Sequence, residues 1–83
     1  MAEVFKIPLV LAPQPEGGFT VTSPILPELL TEGDTLDEAV GNVRDALEAV
    51  IELYDDLGKP LPSNLRQDPQ AAPIWFEGVV TRP

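Results

Sequence analysis

The 83-residue chain lacks both cysteine and histidine. Without cysteine there is no disulfide bond, and without either residue there is no zinc site of the Cys/His type. The missing histidine also removes the usual base for a serine or threonine nucleophile. Only Lys6 and Lys59 remain as unorthodox bases. We therefore expect no enzyme, no cofactor and no metal centre.

Basic residues are also scarce. Five Lys and Arg stand against fourteen Asp and Glu, a formal net charge of −9. Binding to a phosphate backbone requires cations that displace counterions, so we expect no direct binding to nucleic acid. The charge favours a basic protein partner, or serves solubility alone.

Long apolar runs are absent as well. No segment reaches the length of a membrane span, and no basic stretch precedes an apolar one as in a secretory leader. We therefore expect a cytoplasmic protein with no membrane partner. The length fits one domain over residues 1–83, and a domain this small gains from a partner surface.

Alternating apolar residues predict strands near residues 3–12, 18–25 and 28–32. Gly17 and Gly18 supply the turn between the first two. A further alternation predicts a final strand at 74–81, lying beside the first. In the first strand Phe5, Ile7, Leu9 and Leu11 share one face, and Pro8 opens or bulges one side.

A long amphipathic helix is predicted over residues 35–57. Apolar residues recur at spacings of four and three from Leu36 to Leu57, and acidic residues occupy most of the other side. Thr35 and Glu38 form a capping box at its start, and Gly58 suits its end. The fold class is therefore α+β: a three-stranded antiparallel meander, one long helix on one face, and a final strand beside the first.

The order of these motifs resembles the HicB-type antitoxin domain. The matching elements are Gly17-Gly18-Phe19, Ser23-Pro24-Ile25-Leu26-Pro27, Gly33-Asp34-Thr35, Glu38-Ala39, Asn42, Ala46-Leu47 and Pro60-Leu61-Pro62, covering about residues 3 to 62. The resemblance implies a partial ribonuclease-H-like fold. It also implies neutralisation of a small, basic, RNA-cleaving toxin of the HicA type.

Two features depart from the family pattern. Glu28 follows the second proline, where the family usually has glycine. Many family members carry a C-terminal DNA-binding module, whereas residues 59–83 read only as a connector and a strand. We therefore expect no separate DNA-binding module here, and direct DNA binding is not supported.

The ribonuclease-H-like shape raises the alternative of a metal-dependent nuclease. That chemistry needs several carboxylates converging on divalent ions. Glu77 on the final strand and Glu38 or Glu48 on the helix are the only candidates, and the first strand offers Lys6 and Pro8 at the corresponding place. Carboxylates on a helix face are usually solvated surface, so the sequence favours a non-enzyme.

One helix covers only one face of the sheet, which leaves the other face as a predicted interface. Its candidate residues are Val4, Val10, Trp75, Glu77 and Val79, with Pro8, Thr22 and Pro24 on the same face. Trp75 is the expected anchor of a dimer or dimer of dimers, although a register slip would exchange it for Phe76. Packing of Trp75 within its own chain is the alternative.

Two functions therefore remain open. The first is an antitoxin-like protein that masks a basic ribonuclease by direct contact. The second is a stand-alone oligomeric scaffold or binding module of the same fold, with no toxin.

Overall fold

The computed structural model describes residues 3–83. The first extended segment carries two short strands, β1 (Val4–Phe5) and β2 (Val10–Pro13), where the sequence predicts one. Pro8 lies between them and has no N–H to donate, so the ladder is interrupted there. The expected opening at Pro8 is confirmed.

The predicted antiparallel meander is confirmed. It consists of β2, β3 (Phe19–Thr22) and β4 (Leu30–Gly33) in that order. Gly17 and Gly18 have φ angles of 99° and 79°, and the Gln14 N–H donates to the Gly18 carbonyl across the turn at 3.0 Å. Backbone with positive φ is costly for residues other than glycine, which is why the turn falls at this dipeptide.

The predicted helix is present but changes at Asn42. Helix α1 spans Leu36–Gly41 and α2 spans Val43–Asp56, while Asn42 itself keeps a helical backbone. Thr35 Oγ1 accepts a hydrogen bond from the Glu38 N–H at 3.1 Å, which is one half of the capping box. Within residues 3–83 the Glu38 carboxylate accepts no return bond from the Thr35 N–H.

The main core lies where α2 meets the segments on either side of it. Its buried members are Leu26, Leu29, Val50, Tyr54 and Leu65, and Phe5, Ile7 and Leu9 pack against them. Three of the four residues that were predicted to share a face of the first strand therefore face this core, and Leu11 does not pack against it. A second buried region lies where β3 contacts α1, and Val21 of β3 and Ala39 of α1 are both fully buried.

A final strand beside the first is confirmed, but its predicted position was wrong. The strand is β5 (Arg66–Gln67), antiparallel to β1, with the Lys6 N–H donating to the Leu65 carbonyl at 2.8 Å. Residues 74–81 form no strand. Leu65 is 1% exposed, so its burial fixes the segment that pairs with β1.

Candidate functional site

An apolar groove lies between the first extended segment, α1 and the C-terminal segment; we call it the β1–α1 groove. Its volume is about 910 Å³. The first wall consists of residues 4–7 with Leu9 and Leu11, and the second of Leu36 and Val40 of α1. Ile74, Phe76 and Val79 form the third wall, while Lys6, Asp37 and Glu77 place charges at the groove.

The structure brings together only some of the predicted interface residues. Val4, Glu77 and Val79 all line the β1–α1 groove. Phe76 lines it and Trp75 does not, so the predicted anchor lies outside the groove. Trp75 is 81% exposed, so its ring is not buried among residues 3–83.

Val10 lies on a different surface, the open face of the meander. It stands opposite Thr22, which in turn stands opposite Leu30 on β4. All three side chains are exposed, with Leu30 at 66%. The residues predicted to form one continuous interface therefore lie on two separate surfaces, the groove and the open face of the sheet. Sequence reasoning missed Leu30, although its alternation with buried Leu29 was a usable signal.

The proline motif positions a core side chain. Pro24 and Pro27 are exposed and flank Leu26, which is fully buried. The Leu29 N–H donates to the Leu26 carbonyl at 3.0 Å, closing a turn that aims both leucines at α2. The two prolines restrict the backbone around this turn, so their role is structural.

The glycines and the cap also position elements without forming a site. Gly58 has φ of 64° directly after α2, as a helix end requires, and Gly33 lies at a close approach of β4 to α1. Asp34 is exposed in the bend before Thr35. These motif residues fix the relation between the meander and the helix.

Glu28, the departure from the family pattern, has a structural partner. Its Oε1 accepts a hydrogen bond from the Tyr54 hydroxyl at 2.6 Å, and its Oε2 lies 3.9 Å from Lys59 Nζ. The Lys59 ammonium also lies 4.7 Å from the centre of the Tyr54 ring. This cluster joins the loop after β3 to the end of α2.

The cluster shifts the pKa values of Glu28 and Tyr54 in opposite directions. The hydrogen bond from Tyr54 lowers the pKa of Glu28, helped by a bond from its own backbone and by the Lys59 charge. The same bond raises the pKa of Tyr54, together with burial of the hydroxyl and the Glu28 charge. The pair is therefore held with Glu28 ionised and Tyr54 protonated.

We expect the Glu28 carboxylate to make folding sensitive to acid. Because its pKa is lower in the folded state, it stabilises the fold above the ordinary glutamate value of 4.5. This stability is lost as the pH falls through the folded-state pKa. Urea midpoints measured from about pH 6 to pH 3 should therefore fall less steeply for Glu28→Gln than for the wild type.

Glu52→Gln is the matched control for that series. Glu52 is an exposed carboxylate on α2 whose side chain makes no hydrogen bond or ion pair within residues 3–83. This variant should keep the wild-type slope. Equal slopes for all three proteins would contradict the role given to Glu28.

The carboxylates do not converge. In the part of the chain that the structure describes, no group of three or more acidic side chains lies close enough to hold a metal ion. The acidic residues of α1 and α2 instead point outward and are exposed. None of the helices within residues 3–83 has both the length and the apolar character that a membrane crossing requires.

The chain is similar to curated antitoxins. It is 41% identical over 71 residues to Antitoxin HicB 1 of Photorhabdus laumondii, a match that covers 83% of this chain and 46% of that protein. It is 42% identical over 62 residues to Antitoxin HicB of Escherichia coli K12, covering 72% of this chain and 45% of the relative. This is a HicB-type antitoxin domain.

The resemblance seen in the motifs is thereby confirmed. The HicB-type region accounts for most of this chain, but the chain spans less than half the length of the curated relatives that it matches. No family model matches the sequence. The activity and partners of these longer proteins are therefore only proposed for this chain.

Proposed function

We propose that this chain is a non-catalytic antitoxin that neutralises a small, basic, RNA-cleaving toxin of the HicA type by direct contact. The observation that carries the proposal is the 41% identity to an antitoxin over 71 residues. The net charge of −9 supports a basic partner, because opposite charge accelerates association and suppresses wrong partners. A toxin that cleaves RNA acts in the cytoplasm, and we propose the same place for this chain.

The test is inhibition of a HicA-type toxin encoded beside this chain. Equimolar protein should suppress RNA cleavage by the purified toxin and form a complex with it in size-exclusion chromatography. An unrelated acidic protein of similar size and charge is the control, because charge alone must not protect the RNA. Undiminished cleavage at a large excess of this chain would contradict the antitoxin role.

We also propose that the chain associates with itself through the exposed part of its C-terminal segment. Trp75 and Val80 are 81% and 83% exposed and do not line the β1–α1 groove. Exposed large apolar side chains are enriched at interfaces, and a large aromatic is the usual anchor. Symmetric dimers are the commonest assembly of soluble proteins.

Sedimentation velocity at tens of micromolar should show a dimer or a dimer of dimers. Trp75→Ala should lower the assembled fraction, because truncating a hot-spot aromatic costs about 2 kcal/mol or more of binding energy. Leu57→Ala is the control, since Leu57 is an exposed apolar residue of similar class at the far end of α2. A wild-type monomer at this concentration would contradict self-association, and normal assembly of Trp75→Ala would contradict only the anchor.

A further inference from the structure

One edge of the first extended segment has no neighbouring strand. The Lys6 N–H donates to Leu65 at 2.8 Å and the Gln14 N–H donates to Gly18 at 3.0 Å, so these groups point toward β5 and β3. The N–H groups of Ile7 and Leu9, which lie between β1 and β2, donate no hydrogen bond to any group among residues 3–83.

The opposite edge of the meander, in contrast, is covered by a side chain. At β4, the Asn42 side-chain amide donates to the Glu32 carbonyl at 2.7 Å, and the Glu32 carboxylate is exposed beside it. A covering side chain and a charge are ordinary protection against unwanted strand pairing. The edge at Ile7 and Leu9 has no such cover in the described chain, and it opens onto the apolar β1–α1 groove.

The groove is comparable in volume to a short strand. A six-residue strand about 20 Å long, in a space about 4.8 Å wide and about 10 Å deep, occupies about 960 Å³. The groove volume is about 910 Å³. Leu36, Val40, Phe76 and Val79 offer apolar contacts to the side chains that such a strand would turn inward.

The charges that line the groove favour a basic partner. Asp37 and Glu77 lie at the groove against a single cation, Lys6. Residues 74–80 of a second copy would add another Glu77 to this acidic surrounding, whereas a basic segment would neutralise it. The charge therefore favours a different, basic protein over a second copy of this chain.

We propose that the β1–α1 groove binds an extended segment of a basic protein, which adds as a strand to the free edge at Ile7 and Leu9. Backbone hydrogen bonds provide the affinity, and alternate apolar side chains enter the groove, as in other cases of strand addition. Basic side chains between them meet Asp37 and Glu77. The inference rests on the proposed function, in which this partner is the toxin.

Amide hydrogen exchange measured by NMR tests the proposal directly. The probe is a soluble decapeptide that alternates valine with lysine, and the matched control peptide carries glutamate in place of lysine. At ten times the dissociation constant the lysine peptide should slow exchange at Ile7 and Leu9 by about elevenfold, since exchange then proceeds from the unbound fraction. Lys6, already bonded to Leu65, is the internal reference and should change little.

Three results would overturn the proposal. Protection of Ile7 and Leu9 in the free protein, independent of concentration, would show that the chain's own C-terminal segment pairs there. Protection that rises with protein concentration would assign the edge to a second copy. Changes confined to the exposed acidic face of α2 would reduce the interaction to charge attraction.

Two exposed apolar residues supply matched variants. Val79 lines the groove and Leu57, at the end of α2, does not, so Val79→Arg and Leu57→Arg add the same charge inside and outside it. Val79→Arg should weaken binding of the lysine peptide by at least about tenfold through repulsion and obstruction, and Leu57→Arg by less than about twofold. Equal effects would contradict the groove as the binding surface.

The same measurement with the toxin separates this inference from the proposed function. A neutralised toxin that leaves Ile7 and Leu9 unprotected would defeat the groove assignment while the antitoxin role stands. An unbound toxin together with a peptide that protects both amides would defeat the antitoxin role while the strand site stands.

Discussion

Gly33→Ala should destabilise this protein strongly. A Cβ atom at Gly33 would lie 2.4 Å from the Ala39 backbone N and 2.7 Å from its Cα. These are backbone atoms of α1, so the helix would have to move away from β4 and expose Ala39, which is fully buried. Overpacking of this kind costs about 1–3 kcal/mol or more, and the upper end applies because no flexible side chain can yield.

Gly41→Ala is the control for that experiment. Gly41 belongs to α1, the helix that Gly33 approaches, and a Cβ atom at Gly41 would meet nothing within 4 Å. Alanine should stabilise the helix by about 0.5–1 kcal/mol because glycine loses more backbone entropy on folding. Urea denaturation should therefore shift in opposite directions for the two variants. A Gly33→Ala protein as stable as the wild type would contradict the close packing of β4 on α1.

Leu65→Ala should produce a loss of about 2–5 kcal/mol in the free energy of unfolding, as expected for a cavity in a core. Leu65 is 1% exposed and belongs to the main core with Tyr54 and Val50. Its carbonyl also accepts the hydrogen bond from Lys6, so a rearranged backbone would loosen β5 from β1.

Leu57→Ala is the control, because it makes the same truncation at an exposed position. Leu57 is 66% exposed at the end of α2, and its truncation should change stability by less than about 0.5 kcal/mol. Thermal or urea unfolding of both variants checks the pair. If Leu65→Ala unfolds like Leu57→Ala, the segment after α2 is not part of the core.

Local chemistry made most of the fold predictable. The Gly17-Gly18 turn, the meander that it opens and the Thr35 cap all depend on residues close together in the sequence. The division of the helix at Asn42 was not predictable in this way. It accompanies a hydrogen bond from Asn42 to Glu32, on a strand that the periodicity of the helix does not report.

The candidate site was less predictable than the fold. Val4, Glu77 and Val79 do meet in the groove, although the strand expected at 74–81 does not form. Alternation of apolar residues shows that a segment is able to form a strand but does not identify the edge with which it pairs. The partner of Glu28 was similarly hidden, because Tyr54 lies twenty-six residues away in the sequence.

The sequence by itself determined the class of this protein: a small, acidic α+β domain whose ordered motifs match HicB-type antitoxins. Turns, caps and helical periodicity are local, and composition sets the charge, so both can be read from the chain alone. Only the tertiary structure decided that Leu65 and β5, rather than residues 74–81, complete the first strand on one side. Competition between two segments for one strand edge depends on which of them buries more apolar surface, and burial is a property of the whole fold.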